Sequence, residues 1–183
     1  MTGRYATRLG LQANVVWYDT PWAVAREEEF LPQILSEHGG YTSYGAGKYH
    51  LGMMSEWALP TNRGFHMWDG FMQSCGSGWT HVAACCNAGS PFNDEEYVCS
   101  YFDSLNSVSP TISGDWRGYD WFKNDKPDLS ANGTKSSDLI VSSTKECLRL
   151  HASKFESAEN LSPVFLYLSF QNIHNPYTTK EEF

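Results

Sequence analysis

The chain has 183 residues and a formal net charge of −8, from 13 Lys and Arg against 21 Asp and Glu. That length can enclose one ordinary hydrophobic core, and the acidic balance excludes an electrostatically driven nucleic-acid role, which needs a basic surface against phosphate. Aromatics at 15% with charged residues at only 19% exclude a disordered chain, and no run of about 18 apolar residues is present that could cross a bilayer as a helix.

Met1-Thr2-Gly3-Arg4 has neither the basic start nor the apolar stretch of a secretory signal. Residues 27–38 read as a short helix with acidic residues in its first turn, where Pro32 is tolerable only if it sits early. Phe30, Leu31, Ile34, Leu35 and His38 then share one face, and Gly39-Gly40 supply a left-handed stop. Residues 41–46 read as a strand ending in the turn Gly47-Lys48. From 64 to 132 glycine, proline, cysteine and aromatics alternate without a period, which predicts a loop-rich, Cys-containing segment with small strands. Ser136 or Ser137 can cap a helix running to about Ala152, with a buried stripe of Leu139/Ile140, Ser143, Cys147/Leu148 and His151. Residues 164–170 are apolar nearly throughout, as in a strand covered on both faces. Helix–strand alternation of this kind predicts an α/β fold with a mostly parallel sheet and flanking helices.

The five cysteines are Cys75, Cys85, Cys86, Cys99 and Cys147. An odd set without Cys-x-x-Cys fits one or two disulfides better than zinc. Cys85 or Cys86 with Cys99 is a candidate pair, and spacing leaves the connectivity open. Asn132-Gly133-Thr134 and Asn160-Leu161-Ser162 match the N-glycosylation pattern, so Asn132 and Asn160 are candidate acceptors. Both features lean towards the secretory pathway.

Two polar clusters follow the two best strands: Gly47-Lys48-Tyr49-His50-Leu51-Gly52 and Gln171-Asn172-Ile173-His174-Asn175-Pro176. Open α/β sheets bind ligands beyond the carboxyl ends of their strands, so Lys48, His50 and His174 are candidates to converge on one pocket. A lysine beside two histidines suits an anionic group, with the lysine stabilising charge and the imidazoles moving protons. Taken singly, each is as readily a turn or loop residue. Trp79, Trp116, Tyr119, Trp121 and Phe122 could stack on a sugar ring, but a core or loop-covering role comes first. Arg4 and Arg63 read as structural, and His38, His66, His81 and His151 as surface or packing residues.

The block from Gly40 to Gly52, Gly-Tyr-Thr-Ser-Tyr-Gly-Ala-Gly-Lys-Tyr-His-Leu-Gly, resembles the second signature of the sulfatase family, with Tyr49 where tryptophan is common. Met1-Thr2-Gly3-Arg4-Tyr5 resembles the tail of the first signature. Leu59-Pro60-Thr61-Asn62-Arg63-Gly64-Phe65 and the segment 165–176 continue the match, with the arylsulfatase B-like subgroup as the nearest branch. The resemblance implies that residues 1–183 are part of a single N-terminal catalytic domain of alkaline-phosphatase-like fold, incomplete at both ends. It implies hydrolysis of sulfuric esters by a formylglycine nucleophile beside calcium, on a sulfated small molecule or sulfated glycan, in a lysosomal or secreted protein. Lys48 would bind sulfate and the nucleophile's oxygen, His50 would hold or deprotonate the nucleophile, and His174 would contact sulfate and protonate the leaving oxygen.

No cysteine here is followed by x-Pro-Ser-Arg, and the family's calcium ligands match no residue of the chain. The formylglycine and the metal ligands are therefore expected outside these 183 residues, and the chain alone is expected to be inactive, with an unpaired sheet edge and poor solubility. Two alternatives remain: a non-catalytic, sulfatase-derived binding protein, and a related phosphatase or phosphodiesterase with a Thr or Ser nucleophile. The Gly-Lys-Tyr-His-Leu-Gly block argues against the second.

Overall fold

In the computed structural model, which describes residues 1–12, 16, 20–73, 78–85, 116–154 and 161–172, the strand predicted at 41–46 forms as β1, Thr42–Gly47. It lies inside a five-stranded sheet. The other strands are β2 (Met67–Gly70), β3 (Val82–Cys85), β4 (Trp116–Tyr119), β5 (Phe122–Lys123), β6 (Lys126–Pro127) and β7 (Val164–Ser169). The sheet order is β6-β5-β2-β1-β7, and β3 pairs with β4 separately. β1 runs parallel to both neighbours, with Thr42 opposite Val164, Gly47 opposite Ser169 and Tyr44 opposite Met67. β5 and β6 join in antiparallel fashion at the far side. The mostly parallel α/β architecture is thus as the sequence predicts.

Alternation along β1 divides the core. On one face Gly45 leaves room for Trp68, because a Cβ there would stand 2.4 Å from its ring. Trp68 is fully buried and packs edge-on against Tyr49 and Phe65, with ring centroids 5.3 and 5.2 Å away. Val24, Phe30, Leu59 and Met72 complete this cluster. On the other face Tyr44 and Ala46 meet the helix α2 (Ser136–Ser153), where Ala46, Phe71, Trp121, Ala131 and Ile140 form a second cluster. Full burial of a side chain such as Ile140 contributes about 1.5–3 kcal/mol.

Of the stripe predicted for α2, Ile140, Ser143, Cys147 and His151 are buried, joined by Ser136, whereas Leu148 is 41% exposed. Its polar members are partnered. Tyr44 donates its hydroxyl proton to His151 Nδ1 (3.1 Å), whose Nε2–H donates to the Ser162 carbonyl (2.9 Å). The expected serine cap is not made. Lys135 occupies the cap position without a side-chain bond, and the Ser136 amide donates to the Gly78 carbonyl instead.

The first helix starts later than predicted, as α1, Leu31–Gly39. Proline has no N–H and fits only the first turn. Pro32 therefore sets the start, and the acidic residues 27–29 precede the helix. The Phe30 amide donates to Gln33 Oε1, and Gly40 closes the other end with a left-handed φ of 64°. Of the predicted face, Phe30 is buried, whereas Leu31 and Ile34 are 39% and 38% exposed. β7 also departs from expectation. It is half-exposed along its length, with Leu168 41% exposed, because among the described residues it borders the sheet and pairs with β1 alone.

Arg63 is structural, as predicted. Its guanidinium is buried, donates to the carbonyls of Ala25, Arg26 and Glu28, and lies 4.1 Å from the centre of the Phe30 ring. Arg4 forms an ion pair with Glu28 at 2.9 Å and is itself largely exposed, so it contributes little.

Candidate active site

The parallel register brings the carboxyl ends of β1 and β7 side by side, and the two polar clusters leave from there. Gly47 makes the exit possible. Its φ is 105°, and a Cβ would stand 2.0 Å from the Ser169 carbonyl oxygen. The following amides stay anchored. Lys48 N donates to Ser169 O (2.9 Å), Tyr49 N to Phe71 O (3.0 Å) and His50 N to Met72 O (3.0 Å). Lys48 thus hangs from β7, while Tyr49 and His50 hang from the segment after β2.

Tyr49 turns into the core, where its hydroxyl donates to the Ala58 carbonyl (2.7 Å). Burial pushes its pKa up, and the nearby Arg63 charge offsets this only in part. That bond explains how tyrosine replaces an indole here without an unpaired hydroxyl. Lys48 and His50 are half-buried. His50 adopts a left-handed φ of 56°, and its Nε2 lies 3.0 Å from the Val16 carbonyl. A carbonyl only accepts, so Nε2 carries a proton. Gly52 ends the block at φ 106°, where a Cβ would meet Ala23 Cβ at 2.3 Å.

A second layer lies behind these residues. Asp120 is buried, and its carboxylate accepts from Met72 N (2.8 Å) and Gln73 N (3.1 Å). Sequence reasoning did not single it out, since an aspartate between two aromatics carries no motif. Nearby, Trp121 is core rather than platform, donating its Nε1–H to Asp69 (2.7 Å), whose own pKa is raised by burial. Tyr119 donates to the Asp128 carbonyl.

His174 lies outside the described residues, as do Asn160, Cys75, Cys86 and Cys99; Gln171 and Asn172 are described up to the end of that cluster. Asn132 is exposed after a short 3₁₀ turn. Cys147 is free and buried, and burial raises its thiol pKa, which makes it a packing residue. Among the described residues no group of three or more His, Cys, Asp or Glu side chains is placed to hold a metal ion. No described helix is long and apolar enough to cross a membrane. An open cleft of about 430 Å³ is lined by Arg26, Gln33, Glu56, Trp57, Asn62 and Arg63, none of them in the two clusters.

The five-stranded α/β sheet with its flanking helices is that of an alkaline-phosphatase-like domain, and Lys48 and His50 follow the carboxyl end of its strand β1. The sulfatase family profile matches residues 1–183, and the chain belongs to the sulfatase family. It is similar to arylsulfatase J of Mus musculus, 28% identical over 177 residues, covering 96% of this chain and 24% of the relative. The crystal structure of Ps i-CgsB superposes over the whole chain and 35% of that protein, with a TM-score of 0.67 at 22% identity. The same protein in complex with k-i-k-neocarrahexaose gives 0.62 at 20% identity. The chain therefore spans about a quarter of the curated relative and a third of the solved structures it matches.

Proposed function

We propose that this chain supplies part of the active site of a sulfuric ester hydrolase, with Lys48, His50 and His174 as its working residues. The observation that carries the reading is the β1–β7 register, Gly47 opposite Ser169, from which both clusters leave the same edge of the sheet. Lys48 offers a cation to the sulfate oxygens, where charge accumulates as the S–O bond breaks. His50, its ring anchored by the Nε2–H donated to the Val16 carbonyl, holds or deprotonates the attacking group. His174 protonates the leaving oxygen. Sulfatases generally employ a formylglycine, whose hydrated aldehyde supplies the nucleophilic oxygen, and no Cys-x-Pro-Ser-Arg occurs in these 183 residues. The similarity to a protein bound to k-i-k-neocarrahexaose favours a sugar-borne sulfate ester as substrate. We further assign the protein to the lysosomal or secreted space, with Asn132 as a glycan acceptor on its exposed turn.

The test is release of sulfate from 4-nitrophenyl sulfate by the full-length polypeptide containing this chain. Lys48→Ala, His50→Ala and His174→Ala should each lower kcat roughly a hundredfold or more, and the 183-residue chain alone should release none. Wild-type rates in all three variants would refute the assignment. Turnover by the isolated chain would refute the dependence on a nucleophile outside it.

A further inference from the structure

The strongest unassigned feature is the carboxylate behind His50. Asp120 sits between β4 and β5 and is 1% exposed. Its Oδ1 accepts from Met72 N at 2.8 Å and its Oδ2 from Gln73 N at 3.1 Å. Its own amide donates to the His81 carbonyl at 2.8 Å, so the residue is held from both ends. The two peptide units it grips are the ones that grip the site: Phe71 O, in the unit with Met72 N, accepts from Tyr49 N at 3.0 Å, and Met72 O, in the unit with Gln73 N, accepts from His50 N at 3.0 Å.

We infer that Asp120 is a positioning residue for His50, acting through the backbone of residues 71–73. This deepens the reading of the site given above and rests on it. The chemistry of the side chain supports the role. An ionised carboxylate presents two acceptor oxygens and no donor, which is what two adjacent N–H groups require. Such charge-assisted bonds are stronger than neutral ones. His50 has a left-handed backbone, φ 56°, that its neighbours must hold in place. Its ring is tethered at Nε2 to Val16, and its amide to Met72. If the 71–73 segment shifts, the imidazole shifts with it. Lys48 would stay, because its amide is tied to Ser169 on the opposite strand. Loss of Asp120 should therefore disturb proton transfer and leave anion binding in place.

Asp120→Asn in the full-length protein tests this. The amide keeps size and one acceptor but turns a donor towards one of the two N–H groups. Expected is a fall in kcat of about tenfold or more, as misalignment of a reacting group produces, with KM changed less than about twofold. In the His50→Ala background the same substitution should add nothing to the loss, since the group it positions is gone. An equal fold-loss in both backgrounds would overturn the inference, as would a rise in KM with kcat intact. Should Asp120→Asn fail to fold, amide hydrogen exchange on the unaltered protein decides. The Met72, Gln73 and His50 amides should be protected to a similar degree as one unit, and a freely exchanging His50 amide beside a protected Met72 would overturn it. If His50→Ala itself keeps full activity, the reading of the site has failed. If His50→Ala is inactive and Asp120→Asn is wild-type, the positioning role alone has failed.

Discussion

His81 shows how a single buried side chain can set the response of the protein to acid. It is fully buried, at a left-handed φ of 55°, among Phe71, Tyr119 and Trp121. Its Nε2 lies 3.1 and 3.0 Å from the Ala131 and Thr134 carbonyls, so that nitrogen is protonated, while Nδ1 has no hydrogen-bond partner. Burial lowers its pKa below the usual 6.5, and the two carbonyl bonds only partly offset this. The unfolded chain then takes up a proton at a pH where the folded one does not. Stability is complete above about pH 6.5 and declines as pH falls towards the folded-state pKa, below which the loss levels off. Exposed His66, lowered by desolvation and by Lys154, acts in the same direction. The melting temperature should drop between pH 7.5 and 5, and His81→Asn, which tolerates the left-handed backbone, should flatten that slope. An unchanged slope in the variant would assign the acid response to other groups. None of this was legible in the sequence, where His81 carries no motif and its partners are 50 and 53 residues away. Asp120 was hidden for the same reason, because its partners are main-chain amides 48 and 47 residues distant. The position of Lys48 and His50 just beyond β1 was legible because a signature and a strand end coincide there.

Among the elements, α2 was readable because its small and apolar residues recur at helical spacing, and β7 because an apolar run bounded by polar residues leaves few alternatives. β2 was not. Met67–Gly70 is too short to show a period, and it lay inside a segment read as loop-rich with small strands whose positions were not fixed, yet it pairs in parallel with β1. The turn from β1 into the site offers a test at this scale. Gly47→Ala must combine a strained φ with a Cβ 2.0 Å from the Ser169 carbonyl, whereas Gly133→Ala, at φ 84°, meets nothing within 4 Å. Backbone strain alone costs about 1–2 kcal/mol, and the clash at Gly47 adds about 1–3 kcal/mol by forcing the strand ends apart. Chemical denaturation should therefore show Gly47→Ala clearly more destabilised than Gly133→Ala. Equal losses would mean that β1 and β7 can separate at that end without penalty.

For the whole molecule, the apolar surface points to self-association. Val141, Leu148 and Leu150 on α2, Leu31 and Ile34 on α1, and Leu161, Leu168 and Phe170 around β7 are all 38–44% exposed. Together with the outer edge of β7, which pairs with β1 alone among the described residues, they leave apolar groups and backbone where another chain can add. The isolated 183-residue chain should show concentration-dependent association by analytical ultracentrifugation, and a monodisperse monomer up to about 100 μM would refute this. The parallel fold itself was legible from helix–strand alternation, but strand order was not, because pairing between distant segments leaves no local trace.

The β1–β7 pairing also governs timing. Thr42 and Ser162 bond across 120 residues, and every register contact of β1 with β7 is of that range. During synthesis β1 can find α1 and β2 early, yet one side of it waits until residue 169 has left the ribosome. Contacts of such sequence separation slow folding, because the intervening loop must close before they form. Of the described strands, the one that leads into Lys48 and His50 is made before β2 and β7 but enclosed only once β7 is available, and in that interval it depends on the cell's folding assistance.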